Sequence, residues 1–382
     1  MVIEQIALYI LWLSLAGILW TNFGYFIFLR LVLLFTRRRD IKQEYYPEVS
    51  IVITAFNEEK NIESKIENCL NLIYPKEKLE IIIVSDGSTD KTEDIVRSYQ
   101  SRGVILLAMP SRFGKHHSQG KGIEIAKNDI IILTDATTFL EANAVQKIVR
   151  NFADPKIGCV SGFDEIRNPD GTIVGENIYV RYEMKLRSLE SEFNSLVGVS
   201  GSFYAVRKEL CSDWISDISN DFYIPIVAKM RGYRGVLDND AIGYYQAKDQ
   251  SQNEFKRKTR TVCHGIEVFM RFKAILNIFK YGSYSLQMIS HKLMRWLVPF
   301  FMILVFIANL FLIHTHPFYF LMMIAQICFY AIATLAAVIV SLKNLLIFRI
   351  PFYFVMANTA ILAAWFYYVS GESFTIWEPT KR

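Results

Sequence analysis

Four charged side chains follow apolar, strand-like segments of the chain, and together they could bind a phosphorylated ligand. Glu58 follows the first such segment, Asp86 the second and Asp135 the fourth, while Lys115 lies in the polar loop after the third. In open α/β sheets ligands bind beyond the carboxyl ends of the strands, because the connections diverge there and leave a crevice. Each residue alone could equally be a helix cap or a surface charge. Their shared position predicts one polar site.

The elements that must position these residues are strands alternating with helices. Buried strands are predicted by the apolar runs Val49–Thr54, Leu79–Val84, Val104–Ala108 and Ile130–Leu133. The fold class is therefore α/β, with a mostly parallel sheet. The chain has neither G-x-x-x-x-G-K-[ST] nor G-x-G-x-x-G after its first strand, so ATP hydrolysis and dinucleotide redox chemistry lose support.

Composition and charge point to a membrane partner. Of 382 residues 52% are hydrophobic, and 42 Lys and Arg against 37 Asp and Glu give a formal charge of only +5. This excess is too small to indicate a nucleic-acid partner, and the apolar residues concentrate at the two ends of the chain. The five cysteines stand singly, without zinc-ligand spacing, which indicates reduced thiols.

Residues 1–36 predict an N-terminal transmembrane anchor. No Asp, Glu, Lys or Arg lies between Ile6 and Leu29, and about 20 apolar residues suffice to cross a bilayer. A secretory signal peptide is the alternative, but Glu4 precedes the run and Arg37–Arg39 follow it. The arginines indicate that the following domain, residues 48–265, lies in the cytosol.

The C-terminal third predicts further membrane segments. Residues 266–290 are expected to lie at the interface, and residues 291–341 to form a transmembrane hairpin around the polar turn His314–Pro317. Residues 345–370 remain open between an interfacial helix, a re-entrant helix and a third C-terminal membrane helix, because Arg349 and Pro351 interrupt their start.

Seven motifs of the chain resemble those of the membrane-associated family 2 glycosyltransferases, which have a GT-A fold. They occur in the family's order over roughly residues 48–265, as S-I-V-I-T-A-F-N-E-E (50–59), I-V-S-D-G-S-T-D (83–90), G-K (114–115), T-D-A-T (134–137), G-V-S-G-S-F-Y-A-V-R (198–207), S-N-D-F-Y-I-P (219–225) and E-F-K-R-K-T-R (254–260). Within this family the chain resembles the polysaccharide synthases of the hyaluronan, chitin and cellulose type.

The resemblance implies a binding site for a nucleotide sugar. Thr54, Phe56 and Glu58 would border the base and ribose of the donor. Asp86 would accept a hydrogen bond from the uracil edge, and the charge of Lys115 would oppose the diphosphate.

A divalent ion is also implied by the resemblance. Asp135 occupies the first position of the family's D-x-D motif, where Mg²⁺ or Mn²⁺ would offset the charge of the diphosphate leaving group. Thr137 replaces the second Asp and is only a candidate ligand. Because a hydroxyl is a weaker ligand than a carboxylate, a lower metal affinity is expected.

Asp221 resembles the family's catalytic base. An acceptor hydroxyl must lose its proton as it attacks the anomeric carbon, and a nearby carboxylate can take it. Direct attack would invert the anomeric configuration. Gly201 and Ser202 would shape the acceptor side of the pocket.

The chain departs from the synthases near the end of the domain, where they carry Q-x-x-R-W. Arg260 would hold the diphosphate and Arg257 would face the acceptor, but the Gln and Trp are absent, which casts doubt on processive polymerisation. A basic helix on anionic lipid is the alternative interpretation. In the tail, residues 371–382, Trp377 lies in a W-x-x-x-x-R motif that is similar to one in hyaluronan-type members. The similarity implies that Trp377 would stack on a sugar or close over the nucleotide from the cytosolic side.

The expected function is inverting transfer from a UDP-sugar to a growing polysaccharide or a lipid-linked acceptor. The alternative is addition of a single sugar to a polyprenyl phosphate or glycolipid. Export of a polymer through so few membrane helices would need a homo-oligomer or a partner. A transporter or scaffold with a nucleotide-binding domain is the non-enzymatic alternative, and a nucleotidyltransferase is disfavoured by the motifs.

Overall fold

A computed structural model of the protein describes residues 2–36, 38, 41–167, 178–246 and 254–371. The chain divides into two compact units. Of the described residues, the helical unit comprises 2–28, 254–267 and 286–371, and the sheet unit comprises 29–36, 38, 41–167, 178–246 and 268–285.

An eight-stranded mixed sheet forms the core of the sheet unit. Its strands are β1 (Val49–Ala55), β2 (Leu79–Ser85), β3 (Val104–Ala108), β4 (Ile130–Asp135), β5 (Phe139–Leu140), β6 (Ile157–Arg167), β7 (Phe203–Arg207) and β8 (Arg234–Gln246). They are ordered β3-β2-β1-β4-β7-β6-β8-β5 across the sheet. The four predicted strands are neighbours, and all their pairings are parallel. The α/β fold class is therefore confirmed.

The second half of the sheet is less regular. Strand β7 runs antiparallel to both β4 and β6, whereas β6 and β8 are parallel. Near-continuous apolar runs in β1, β2 and β4 fit strands that are covered on both faces. The carboxyl ends of β1, β2 and β4 consequently reach the same edge of the sheet.

Helices of the sheet unit connect and cover these strands. They are α3 (Ile62–Leu70), α4 (Thr92–Ser98), α5 (Lys115–Ile125), α6 (Ala144–Val149), α7 (Ile178–Phe193), α8 (Asn220–Met230) and α10 (Ile278–Tyr281). Helix α5 approaches the sheet closely, because a Cβ at Gly122 would lie only 2.4 Å from Val52 Cγ1. This packing fixes the start of α5, which carries Lys115, relative to β1.

The remaining helices are the long apolar ones and those that lead into them. They are α1 (Val2–Leu19), which continues through a π-helical turn at Trp20–Gly24 into α2 (Tyr25–Thr36), α9 (Glu254–Arg271), α11 (Ser283–Met288), α12 (Met294–Leu312), α13 (Pro317–Val338) and α14 (Leu346–Val369). Within the helical unit α1 packs against α12, where Gly17 leaves room for the ring of Phe301.

Four helical segments of the described chain are long and apolar enough to cross a membrane. They are Val2–Thr36, Ser283–Leu312, Pro317–Val338 and Leu346–Val369. The last of these continues as a helix through Pro351, although proline cannot donate the helical hydrogen bond to the carbonyl oxygen four residues earlier. Its length permits a crossing, and the choice between crossing and interfacial placement stays a prediction.

Candidate functional site

A crevice at the carboxyl ends of β1, β2 and β4 brings seven predicted site residues together. Its empty volume, including the part open to solvent, is about 500 Å³. The crevice is lined by Thr54, Ala55, Phe56, Glu58, Asp86, Arg112, Lys115, Asp135, Ala136 and Thr137. Every predicted donor-binding residue of the sheet unit therefore faces one cavity, although their individual roles stay predictions.

Asp86 organises the loop that leads into α5. Its Oδ1 accepts hydrogen bonds from the Phe113 amide at 2.9 Å and the Ser118 hydroxyl at 2.7 Å, and its Oδ2 accepts one from the Gly114 amide at 2.9 Å. Only a glycine suits position 87, because its φ is +69° and a Cβ would lie 2.5 Å from the backbone of Ser111. The Asp86 carboxylate thus builds the wall of the crevice, and a contact to the donor base would be an additional one.

Lys115, at the start of α5, joins two sides of the site. Its Nζ lies 2.5 Å from Oδ1 of Asp135 and donates a hydrogen bond to the carbonyl oxygen of Gly201 at 3.1 Å. The two side chains are partly buried, with 22% and 32% of their surfaces exposed, so solvent screens the pair only in part. The predicted diphosphate residue and the predicted metal ligand are therefore direct neighbours.

The oxygen ligands around Asp135 suit a divalent ion that arrives with a phosphorylated ligand. Among the residues that the structure describes, no cluster of three or more His, Cys, Asp or Glu side chains could hold a metal ion alone. Mg²⁺ commonly binds to one or two carboxylates and completes its shell with phosphate oxygens and water. Asp135 supplies one carboxylate and Thr137 lines the same crevice, so the two residues fit that mode of binding.

Asp221 lies in the first turn of α8, next to Gly201. The Ser219 hydroxyl donates a hydrogen bond to its Oδ1, and a Cβ added at Gly201 would lie 3.1 Å from its Oδ2. Since Gly201 also binds Lys115 through its carbonyl oxygen, the candidate base and the donor-side lysine flank the same glycine. The missing side chain at position 201 leaves space between them.

Ser202 has a structural partner that the sequence did not reveal. Its hydroxyl donates to Oδ1 of Asp164 at 2.5 Å, and the Ser200 hydroxyl donates to the same oxygen at 2.8 Å. Burial raises the pKa of Asp164 above its ordinary value although these two hydrogen bonds oppose the shift. Asp164, on β6, carries no recognisable motif, and Ser202 is oriented towards it.

Arg112 is a second residue that sequence reasoning missed. Its guanidinium carbon lies 4.1 Å from the centroid of the Phe56 ring, and both side chains line the crevice. Arginine binds phosphate oxygens through a planar fork and stacks on aromatic faces. The feature of the sequence that could have indicated a role for Arg112 is its position two residues before Gly114 of the G-K motif.

The three remaining predicted site residues are not among the described residues that line the crevice. Arg257 and Arg260 are on α9, within the helical unit, and the Thr261 hydroxyl donates to the carbonyl oxygen of Arg257 at 2.9 Å. Trp377 lies outside the described residues. The diphosphate, acceptor and sugar-stacking roles of these three residues stay predictions.

The comparison with known families agrees with this geometry. Residues 50–214 match the sequence profile described as "Glycosyl transferase family 2". These residues form a glycosyl transferase family 2 domain. The match covers the crevice, including Asp86, Lys115 and Asp135, as well as Gly201, and it confirms the resemblance inferred from the motifs.

Relatives of this family 2 domain are found among polysaccharide synthases. The poly-beta-1,6-N-acetyl-D-glucosamine synthase of Staphylococcus aureus is 28% identical over 245 residues, covering 62% of this chain and 58% of the synthase. That of Staphylococcus epidermidis is 24% identical over 292 residues, covering 72% and 70%. The chain thus spans a little over half the length of the Staphylococcus aureus relative.

A solved structure shares the fold over nearly the whole chain. The mannosyltransferase PcManGT from Pyrobaculum calidifontis, in complex with GDP-Man and Mn²⁺, superposes with a TM-score of 0.73 at 20% sequence identity. The superposition covers 97% of this chain and 100% of that one. The GT-A-like fold of the family 2 domain is thereby established.

Proposed function

We propose that the chain is a membrane glycosyltransferase that moves a sugar from a nucleotide sugar, with a UDP-sugar as the first choice, to a hydroxyl acceptor. The observation that carries this proposal is the position of Gly201 between Lys115 and Asp221. A donor in the crevice would place its diphosphate beside Lys115 and its sugar towards Asp221. The diphosphate leaving group and the attacking acceptor hydroxyl would then lie in one connected site.

The charges of the crevice suggest how the donor is held. Lys115 binds the diphosphate, and Arg112 can bind it or stack on the base together with Phe56. Asp135, with Thr137, would hold Mg²⁺ or Mn²⁺, which stabilises the negative charge of the leaving diphosphate when bound. Asp86 keeps the loop of Arg112 and Lys115 in place through its three hydrogen bonds.

The proposed reaction is a single displacement. The acceptor hydroxyl gives its proton to Asp221 while its oxygen forms a bond to the anomeric carbon, and the bond from that carbon to the diphosphate oxygen breaks. The nucleoside diphosphate leaves with the bonding electrons. Attack from the face opposite the leaving group inverts the anomeric configuration.

The first candidate acceptor is a growing glycan, in a cell-surface or exopolysaccharide pathway. This acceptor class is supported by the Staphylococcus relatives, whose names specify a polysaccharide product. A lipid-linked acceptor is the other class. A homo-oligomer or partner would be needed if the product also crossed the bilayer.

Addition of one sugar is the second candidate function. It is favoured by the near-complete structural match to a mannosyltransferase that binds GDP-Man, and by the absence of the Gln and Trp of Q-x-x-R-W around Arg260. A GDP-sugar donor and a polyprenyl phosphate or glycolipid acceptor belong to this alternative.

Cell-membrane placement is supported by the four long apolar helices of the described chain. We place the family 2 domain in the cytosol, where nucleotide sugars are made, because arginines follow the first apolar helix. Residues 266–290 and the basic face of α9 would then lie on anionic lipid.

A donor screen tests the proposal. The protein is reconstituted in lipid nanodiscs with Mg²⁺ or Mn²⁺ and mixed with UDP- and GDP-sugars, and nucleotide release is measured for wild type, Asp221→Asn and Asp217→Asn. Asp217 is a matched control because it is largely exposed and pairs with Arg271. We expect one donor to be turned over, with release lost only in Asp221→Asn.

Three results would contradict parts of this proposal. Equal turnover in Asp221→Asn would exclude Asp221 as the base. Turnover of a GDP-sugar alone would favour the second candidate. Absence of both turnover and calorimetric binding for every donor would exclude a transferase and leave the transporter or scaffold alternative.

A further inference from the structure

Lys65, on α3, is a buried lysine that the proposed mechanism does not use. None of its surface is exposed, and burial lowers the pKa of its ammonium group. Burying an ammonium group is unfavourable unless hydrogen bonds replace its hydration. The partners of Lys65 therefore indicate why a lysine occupies this position.

Both partners lie at the ends of the turn that carries Asp135. Lys65 Nζ donates to the Thr134 hydroxyl at 3.1 Å and to the carbonyl oxygen of Thr138. The turn between them is closed by a hydrogen bond of 3.1 Å from the Thr138 amide to the Asp135 carbonyl oxygen. One ammonium group thus binds both the end of β4, at Thr134, and the end of the turn, at Thr138.

Asn68, one helical turn further along α3, makes a comparable contact beyond the turn. Its side chain donates to the Leu140 carbonyl oxygen and accepts from the Leu140 amide, each at 2.8 Å. Both side chains therefore fasten α3 to the same stretch of chain. These hydrogen bonds of Asn68 go to Leu140, beyond the turn, whereas those of Lys65 go to the turn that contains Asp135.

We propose that Lys65 is a positioning residue that fixes the turn carrying Asp135 and Thr137. The proposal rests on the proposed function, because it assigns to this turn the binding of the diphosphate and its metal ion. A displacement of about 1 Å at a catalytic group can lower a rate by about a hundredfold. A methionine would fill a similar volume without burying a charge, so stability alone does not require Lys65.

The test compares Lys65→Met and Thr134→Val with the matched control Asn68→Leu. The measurements are the melting temperature, kcat and KM for the donor, and the Mn²⁺ concentration that gives half-maximal binding of a nucleoside diphosphate. For Lys65→Met and Thr134→Val we expect kcat to fall at least tenfold and that Mn²⁺ concentration to rise. Lys65→Met should keep its melting temperature within about 5 °C of wild type, whereas Thr134→Val should lower it, because the buried ammonium group loses one partner. Asn68→Leu should lower the melting temperature and leave kcat and the Mn²⁺ requirement unchanged.

The proposal is overturned if Lys65→Met and Thr134→Val change only the melting temperature, as Asn68→Leu does. Thr134→Val decides the question if Lys65→Met does not fold, because it removes one of the two hydrogen bonds of Lys65 from the other side. The binding measurement needs no turnover. If the wild type binds nucleotide and Mn²⁺ but transfers no sugar, this measurement still tests Lys65, so failure of the Lys65 proposal can be distinguished from failure of the proposed function.

Discussion

The Nζ atom of Lys115 lies 2.5 Å from Oδ1 of Asp135. The pair joins helix α5 to the end of strand β4, and both residues line the crevice. A lysine that neutralises the predicted metal ligand must release it, at least in part, when a metal ion and a diphosphate bind. The same lysine is then next to the incoming phosphate oxygens.

Replacing Lys115 by Met should weaken nucleoside diphosphate binding about 10- to 100-fold. Hydrogen bonds to charged groups contribute about 1.5–3 kcal/mol, and about 1.4 kcal/mol corresponds to a factor of ten in affinity. The measurement is calorimetric titration with UDP and with GDP. Lys121→Met is the control, because Lys121 is an exposed residue of the same helix that pairs with Glu124. Equal affinities in the two variants would show that Lys115 does not contact the diphosphate.

Adding a methyl group at Gly201 should lower kcat about tenfold or more and leave donor affinity within about threefold of wild type. The new Cβ would lie 3.1 Å from Oδ2 of Asp221, so the carboxylate must move. Steady-state kinetics of Gly201→Ala test this expectation. Gly232→Ala is a control for glycine replacement, since its φ is +88° and no atom lies within 4 Å of its Cβ. It should reduce stability alone. An unchanged kcat in Gly201→Ala would argue against Asp221 as the base.

Removing the Arg112 guanidinium should reduce nucleotide affinity about 5- to 30-fold. Stacking of a guanidinium on an aromatic ring contributes about 0.5–2 kcal/mol, and contact with phosphate adds to it. The variant is Arg112→Leu, measured by the same titration. Arg102→Leu is matched to it, because Arg102 also stacks on a ring, that of Tyr99, at 5.2 Å and outside the crevice. A loss of affinity in both variants would indicate a general effect of the charge.

Asp238 should make the sheet unit sensitive to acid. Burial alone would raise the pKa of Asp238, but hydrogen bonds from Arg150 and Asn151 and the charge of Lys42 hold it below its ordinary value. The carboxylate therefore contributes stability above about pH 4, the ordinary Asp pKa, and this contribution is lost as the pH falls through the lowered pKa. Asp238→Asn should cost about 3 kcal/mol at pH 7 and progressively less below about pH 4.

Thermal unfolding of detergent-solubilised protein at pH 7 and at pH 3 measures this difference. The control is Asp240→Asn, because Asp240 pairs with the same Arg150 but 63% of its side chain is exposed. Exposed pairs contribute about 0–1 kcal/mol. A destabilisation by Asp238→Asn that is the same at both pH values would show that packing, and not charge, explains its contribution.

The sequence by itself determined the parallel half of the sheet and the placement of seven crevice residues. Apolar β-branched runs are buried on both faces wherever they pair, so β1, β2, β3 and β4 could be located from their composition alone. Residues that directly follow parallel strands meet at one edge of a sheet. Glu58, Asp86 and Asp135 could therefore be assigned to one site before their distances were known.

Only the tertiary structure decided which polar side chains are buried and what they contact. In α3 Lys65 shares a helix face with Ile62 and Ile66, but lysine is rarely buried, so its residue type predicts an exposed side chain. Its burial depends on the packing of α3 beneath a turn 69 residues further along the chain, where Thr134 lies. Asp164 and Arg112 are comparable cases, because their partners Ser202 and Phe56 are distant in sequence. Local patterns fix strands and helices, whereas contacts between side chains follow from the way those elements pack.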